Sequence, residues 1–400
     1  MRPTPLLIVT LVLPLVARAQ TLPPKDVLDL SMQPPTLITS PGPQYADASR
    51  DYNMIIGLER APGGRLWCCW VSGGDSDRGY FVLASSDDAG KTWSAPRLVI
   101  DPPDHADFRV RTLVGNLWCD PTGKLWLFFD LSVGYFDGRA GDWAIVCDNP
   151  DAPEPKWSAP SRIWHGATLN KPTVLRNGDW LLPISLWTRN KINPKPMKDA
   201  YPELDEFRMA NVFVSTNKGH TWSRRGGALF PGSDFDEHMI VERKDNSLWM
   251  LARTKDGIAE STSTDQGKTW SEGKPSAIAS VNARFFLRRL ASGRLLLVKH
   301  GEKIDVKPQG RRELTAFLSD DDGQTWKGGL VLDERPGVSY PDGFQAPDGL
   351  IHIAYDYKRA AEREILMAAF TEAEVLAGKL TGDKSRLKAL VNKATGAKIP

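Results

Sequence analysis

Four cysteines and six histidines are all that 400 residues provide of the side chains that most often bind metals. Neither type is grouped as a ligand set. Cys68, Cys69, Cys119 and Cys147 contain no C-x-x-C pair, so a structural zinc site is excluded. Cys68 and Cys69 sit in the apolar stretch Leu66 to Val71, which reads as a strand with neighbours facing opposite sides. Buried free thiols are the simplest reading, with a Cys119–Cys147 bridge left open in an oxidising compartment. His105, His165, His220, His238, His300 and His352 show no H-E-x-x-H pairing; no cofactor and no metal-dependent mechanism are expected. Charges balance, at 51 basic against 49 acidic residues. No basic stripe is interleaved with aromatics, so nucleic acid is not an expected partner.

Long apolar runs are equally scarce. The one candidate, Leu6 to Val16, is shorter than the ~20 residues a membrane span needs. With Met1-Arg2 before it and Ala17-Arg18-Ala19 after it, this segment has the form of a secretory signal over residues 1–19, cut after Ala19. The expected localisation is therefore secreted or periplasmic, with no membrane span.

What the chain has in quantity is turn formers and aromatics: 34 Gly, 30 Pro and 14 Trp. An eight-residue pattern, Ser-x-Asp/Asn-x-Gly-x-Thr-Trp, occurs four times, at Ser86 to Trp93, Ser215 to Trp222, Ser263 to Trp270 and Ser319 to Trp326. The Asp or Asn side chain can accept from backbone amides two residues on, the Gly accepts positive φ, and the Trp can bury apolar surface beside the turn. The segment Asp148 to Ser158, ending in Trp157, reads as a degenerate fifth copy.

A second repeat sets the count of units. Turns at Gly64, Gly123, Gly178, Asn246, Gly293 and Gly349 each open an apolar strand. Their spacing suits small four-stranded sheets that bury their faces by stacking on one another. The organisation expected is a lead-in over 20–49, a repeat body over 50–370, a short helix over Thr371 to Lys379, and a loosely held Lys-rich tail from Gly382 to Pro400.

These turns resemble the Asp boxes of the sialidase (neuraminidase) superfamily. The resemblance implies an all-β fold, a six-bladed β-propeller of four-stranded antiparallel blades with Asp-box turns, whose binding site lies near the central axis. It also implies site residues. Glu237, in the stretch Glu237 to Thr254, falls at the place of the catalytic glutamate, and Arg253 at that of an arginine holding the substrate carboxylate. Arg311, or its neighbour Arg312, matches a second such arginine. Tyr340, in Val338 to Asp342, matches the nucleophilic tyrosine, and Asp75, with Asp77 as the alternative, matches the acid/base aspartate. One departure is marked. The family's first strand begins Phe/Tyr-Arg-Ile-Pro, whereas Tyr52-Asn53-Met54-Ile55-Ile56 has no Arg in register.

The residue types suit the chemistry implied. A sugar bearing a carboxylate on its anomeric carbon repels an attacking Asp or Glu, and a Tyr deprotonated by a neighbouring Glu avoids that repulsion. Guanidinium groups fork onto carboxylates. An aspartate near the leaving oxygen would protonate it and then activate water, provided that its loop is partly shielded. The expected activity is exo-acting, retaining hydrolysis of a terminal sialic acid or related acidic sugar, with a glycan as partner. Without the first arginine, Asn53, Arg60 or Lys171 could compensate, or the sugar could differ. Phe108, Tyr135, Phe136, Trp164, Trp187 and Phe235 could stack on sugars or simply pack. Each site residue also has an ordinary structural reading, and a non-catalytic carbohydrate-binding propeller is the alternative outside the enzymes.

Overall fold

Local sequence builds one unit six times. In each, the marker residue closes a turn by donating its amide to a carbonyl three residues back: Gly64 to Ala61, Gly123 to Asp120, Gly178 to Leu175, Asn246 to Arg243, Gly293 to Leu290 and Gly349 to Ala346, all at 2.9–3.0 Å. The computed structural model, which describes residues 25–105 and 108–397, arranges these units as six antiparallel sheets with consecutive strand order. The signal segment expected at 1–19 lies outside the described residues.

The inner strands of blades 1 to 6 are Met54–Arg60, Gly115–Cys119, Thr173–Val174, Asp236–Glu242, Phe286–Arg289 and Val338–Gln345. In blade 2 an extra short strand, Val110–Arg111, pairs with the same neighbour as Gly115–Cys119. Every inner strand starts on one face of the ring and ends at its marker turn on the other. Among the described residues no helix is long and apolar enough to cross a membrane.

The Asp boxes connect the third strand of a blade to its fourth, and so lie on the marker-turn face. Their hydrogen bonds differ in detail from the sequence expectation. Asp88 Oδ1 accepts from the amides of Lys91 and Thr92, three and four residues on, at 3.0 and 2.9 Å, while Ser86 Oγ accepts from Gly90 at 2.8 Å. The Asn217 box repeats the Ser-to-Gly and Asn-to-Thr bonds. The boxes also join blades. A Cβ on Gly219 in blade 3 would stand 2.6 Å from Trp126 of blade 2, and one on Gly323 in blade 5 would strike Trp249 of blade 4. Trp157, in the degenerate copy, likewise meets Trp67 of blade 1 edge-on at 5.9 Å.

The C-terminal segment departs from the expected loose tail. Thr371 caps the helix Glu372–Ala377 in a capping box with Glu374. The Glu374 carboxylate then accepts from the amides of Thr381 at 2.6 Å and Gly382 at 2.7 Å, and from the Ser385 hydroxyl at 2.6 Å. These bonds turn the chain back, and Arg386–Lys393 becomes the outer strand of blade 6. Because no blade mixes strands from the two ends, side-chain and loop backbone bonds close the ring: Asn53 Nδ2 donates to Asn392 Oδ1 at 2.9 Å, and the Gly396 amide to the Arg50 carbonyl at 2.8 Å. All four cysteines are free.

Candidate active site

The inner strands of blades 4 and 6 begin with the same irregularity. Register slips between Asp236 and Met239 and between Ser339 and Asp342. Glu237 at φ 45° and Tyr340 at φ 58° occupy the left-handed region that non-glycine residues seldom adopt. Such bulges re-aim side chains. Here they turn the carboxylate and the phenol toward each other near the axis, where Tyr340 Oη donates to Glu237 Oε1 at 2.7 Å.

Arg253, at the end of the second strand of blade 4, completes the cluster. Its Nη1 donates to Glu237 Oε1 at 2.6 Å and to Tyr340 Oη at 3.1 Å, while Nε donates to Asn282 Oδ1 at 2.6 Å. Glu237 Oε2 is buried with no hydrogen-bond partner among the described residues. Arg311 stands alongside, its Nη1 donating to Ser339 Oγ at 2.9 Å and its guanidinium 5.7 Å from the centre of the Tyr340 ring. Arg312 instead pairs with Glu313 at 2.8 Å.

A charged floor fixes the spacing. Asp342, two residues beyond Tyr340, accepts from the Leu58 amide, Asn116 Nδ2 and Arg284 Nη2 at 2.9–3.1 Å and pairs with Lys171 at 3.1 Å, tying several blades together at the axis. Arg284 also donates to Asn170 Oδ1 at 2.8 Å, and Asn170 Nδ2 donates to the Glu237 carbonyl at 2.8 Å. A continuous buried path of bonds therefore runs from the strand of Tyr340 to the backbone of Glu237. His238 is buried beside it with Nε2 2.8 Å from the Asn211 carbonyl; burial pulls its pKa down to about 4, which leaves the ring neutral.

The stretch Tyr52 to Ile56 has no arginine, and the structure brings a charge to Met54 from elsewhere. Arg359, in the loop after the second strand of blade 6, lies with Nη1 2.9 Å from Met54 Sδ and its guanidinium 4.5 Å from the Tyr340 ring centre. It pairs with Asp356 at 3.1 Å. Of the suggested substitutes, Asn53 is spent on ring closure, Lys171 on the floor through Glu59 and Asp342, and Arg60 lies at the far end of its strand. Arg359 escaped the sequence reading because it belongs to a Lys-Arg-Ala-Ala-Glu-Arg loop with no motif register; strand pairing inside blade 6 sets it beside Tyr340, and the closure of blade 6 onto blade 1 sets it beside Met54.

Asp75 stands at the rim, 3.6 Å from Arg359 Nη1, with its side chain 44% exposed. The shielding expected of a proton donor is therefore slight. Tyr135, Trp187 and Phe235 form a wall beside the cluster: Trp187 meets Tyr135 at 5.8 Å and Phe235 at 5.0 Å, and Arg253 lies 5.3 Å from the Phe235 ring centre. Phe136 packs behind Trp187, and Trp164 packs on Phe213.

Burial pushes the Tyr340 phenol up to about 12; the Glu237 charge adds to this, and Arg253, Arg359 and Arg311 oppose it. The arrangement can thus relay a proton from a phenol to a carboxylate within a field of cations, and can hold an anion over that phenol.

A propeller with Asp-box turns and a tyrosine, glutamate and arginine at its axis defines the class of sialidase-like propellers. The chain belongs to the BNR repeat-like domain family, which it matches over residues 64–353. A search of curated proteins finds no match. Among solved structures, a Hadza microbial sialidase superposes with a TM-score of 0.60 at 19% identity, over 83% of this chain and 69% of that one. The leech intramolecular trans-sialidase complexed with 2,7-anhydro-Neu5Ac gives 0.61 at 14% identity, over 84% and 70%. A Dyadobacter fermentans protein of unknown function gives 0.56 at 15%, over 78% and 93%.

Proposed function

We propose that this protein is an exo-acting glycoside hydrolase of sialidase type, releasing a terminal sialic acid or related acidic sugar with retention. The observation that carries the proposal is the set of three hydrogen bonds among Tyr340, Glu237 and Arg253. Tyr340 Oη attacks the anomeric carbon and its proton passes to Glu237 Oε1. The glycosidic C–O bond breaks as Asp75 protonates the leaving oxygen. Water then attacks the same carbon, giving its proton to Asp75; the Tyr340–carbon bond breaks and Glu237 returns the proton to the phenol.

A phenol held at about 12 is neutral near pH 7, so the reaction needs both the base and the cations. Arg253, Arg311 and Arg359 border Tyr340 and would take the substrate carboxylate, with Arg359 in place of the absent first-strand arginine. The resemblance to sialidases supports the substrate class. Hydrolysis of an aryl sialoside by the wild type, beside the Tyr340→Phe variant, tests the reading. Activity in both, or in neither while other aryl glycosides are cleaved, would overturn it.

A further inference from the structure

The face opposite Tyr340 carries a second recess. Between blades 1 and 6, where the first inner strand ends at Arg60 and the sixth runs into its marker turn, lies a groove of about 600 Å³. This volume is within the range of small-ligand sites. Six residues of extended strand from Tyr340 to the turn at Ala346 put it roughly 20 Å from the phenol.

Three cations line it without an ion-pair partner among the described residues. Arg60 has only backbone carbonyls, those of Ala61 at 3.3 Å and Pro62 at 3.5 Å; Arg386 donates to the Ala89 carbonyl; and Lys91 projects from the first Asp box. Lys384 also lines the groove but is held by Asp348 at 3.2 Å, and Asp348 and Asp383 are the two carboxylates of the lining. An independent feature points the same way. His352 lines the groove, is only 4% exposed, and its Nδ1 has no hydrogen-bond partner. The ring is stacked on Phe344 at 4.9 Å, and burial and nearby arginines lower its pKa to about 4, so it offers a neutral polar edge. Buried polar atoms without partners are uncommon in folded proteins.

Apart from Ser385, the rest of the lining is backbone and hydrocarbon, chiefly Leu66, Pro347 and Leu350. A bare inorganic anion has no use for such a floor. A sugar acid does, because its ring presents C–H patches, its hydroxyls can meet the imidazole, and its carboxylate can meet the arginines. We infer that this groove between blades 1 and 6 is a second, non-catalytic site for an acidic saccharide, bound by Arg60, Lys91 and Arg386 with His352 beneath. The inference does not depend on which reaction the axial cluster performs.

The test uses the whole protein and trigalacturonate, with maltotriose as the neutral counterpart and inorganic phosphate as the bare anion. Titration is followed by calorimetry and by the ring-proton NMR signal of His352, assigned from His352→Gln. Saturable binding of trigalacturonate that moves the His352 signal, persists in Tyr340→Phe and weakens at least about tenfold in Arg60→Ala/Arg386→Ala supports the site. Unchanged turnover of the aryl sialoside in that double variant would separate it from the axial cluster. Equal binding of maltotriose, an equal effect of phosphate, or affinity indifferent to the double substitution would each overturn the inference.

Discussion

The hydroxyl of Tyr340 and the carboxylate of Glu237 meet at 2.7 Å across 103 residues of sequence, each presented by a left-handed residue at the start of an inner strand. A hydrogen bond built from two bulges in two blades is specific enough to test directly. Tyr340→Phe removes one oxygen and keeps the ring between Arg359 and Arg284. Hydrolysis of an aryl sialoside should fall by at least about a thousandfold, the scale seen when a nucleophile is removed. The melting temperature should move by only a few degrees.

Glu237 acts on Tyr340 in the opposite sense from the arginines, because its negative charge opposes a phenolate. Glu237→Gln should therefore lower the phenol's pKa from about 12. Ultraviolet difference titration of the variant against Glu237→Gln/Tyr340→Phe would isolate that transition. Turnover should nonetheless be lost, since the proton has no acceptor. Glu237→Ala should also destabilise the fold by about 3–5 kcal/mol in denaturant unfolding, because it leaves buried Arg253 without its carboxylate.

Arg359 is predicted to share in holding the substrate carboxylate. Arg359→Gln should raise KM for an acidic substrate about 10- to 100-fold, as expected for one charge-assisted hydrogen bond. Arg359→Lys should recover little, since a single ammonium cannot both pair with Asp356 and present a fork. An unchanged KM in both variants would confine Arg359 to pairing with Asp356 and Asp75.

Asp75 is predicted to matter in proportion to how much help the leaving group needs. Asp75→Ala should slow cleavage of a natural disaccharide linkage far more than that of a good aryl leaving group, with Asp77→Ala affecting neither. Equal losses on both substrates would remove Asp75 from the role.

How far the sequence foretold this arrangement depended on whether the information was local. The turn at Gly64 and its five counterparts need only a few adjacent residues, and they mark all six blades. Glu237, Arg253, Arg311 and Tyr340 were legible as candidates because each lies in a segment whose pattern of strand and turn has its own register. Arg359 was not, since its loop has no motif register, and only the pairing of Ser339 with Asp356 inside blade 6 sets it beside Tyr340. The tail was misread for a related reason. Its Lys-rich composition hides a strand that is ordered by the buried Glu374 carboxylate, a contact visible only after folding.

The Asp boxes supply a last pair of predictions, one steric and one electrostatic. Gly323→Ala meets both a φ of +89° and the Trp249 ring, whereas Gly293→Ala meets a φ of +85° with nothing within 4 Å. In denaturant unfolding the substitution should cost about 1 kcal/mol at Gly293 and about twice that or more at Gly323, the excess measuring how tightly the box docks on its neighbour. The box carboxylates of Asp265 and Asp321 are held at about 2, below the ordinary 3.8, first by the Thr hydroxyl four residues on. A depressed carboxylate stabilises the fold above its unfolded pKa, and the contribution is lost as pH falls through the folded one. Acid should therefore erode stability between about pH 4 and pH 2. Asn217 keeps the bond from the Thr221 amide in the second box and donates its own Nδ2 to the Thr221 hydroxyl at 2.8 Å, without a titrating group. Replacing Asp88, Asp265 and Asp321 by Asn should flatten the slope of unfolding free energy against pH in that window while leaving the propeller folded at pH 7. An unchanged slope would assign the acid lability to other carboxylates.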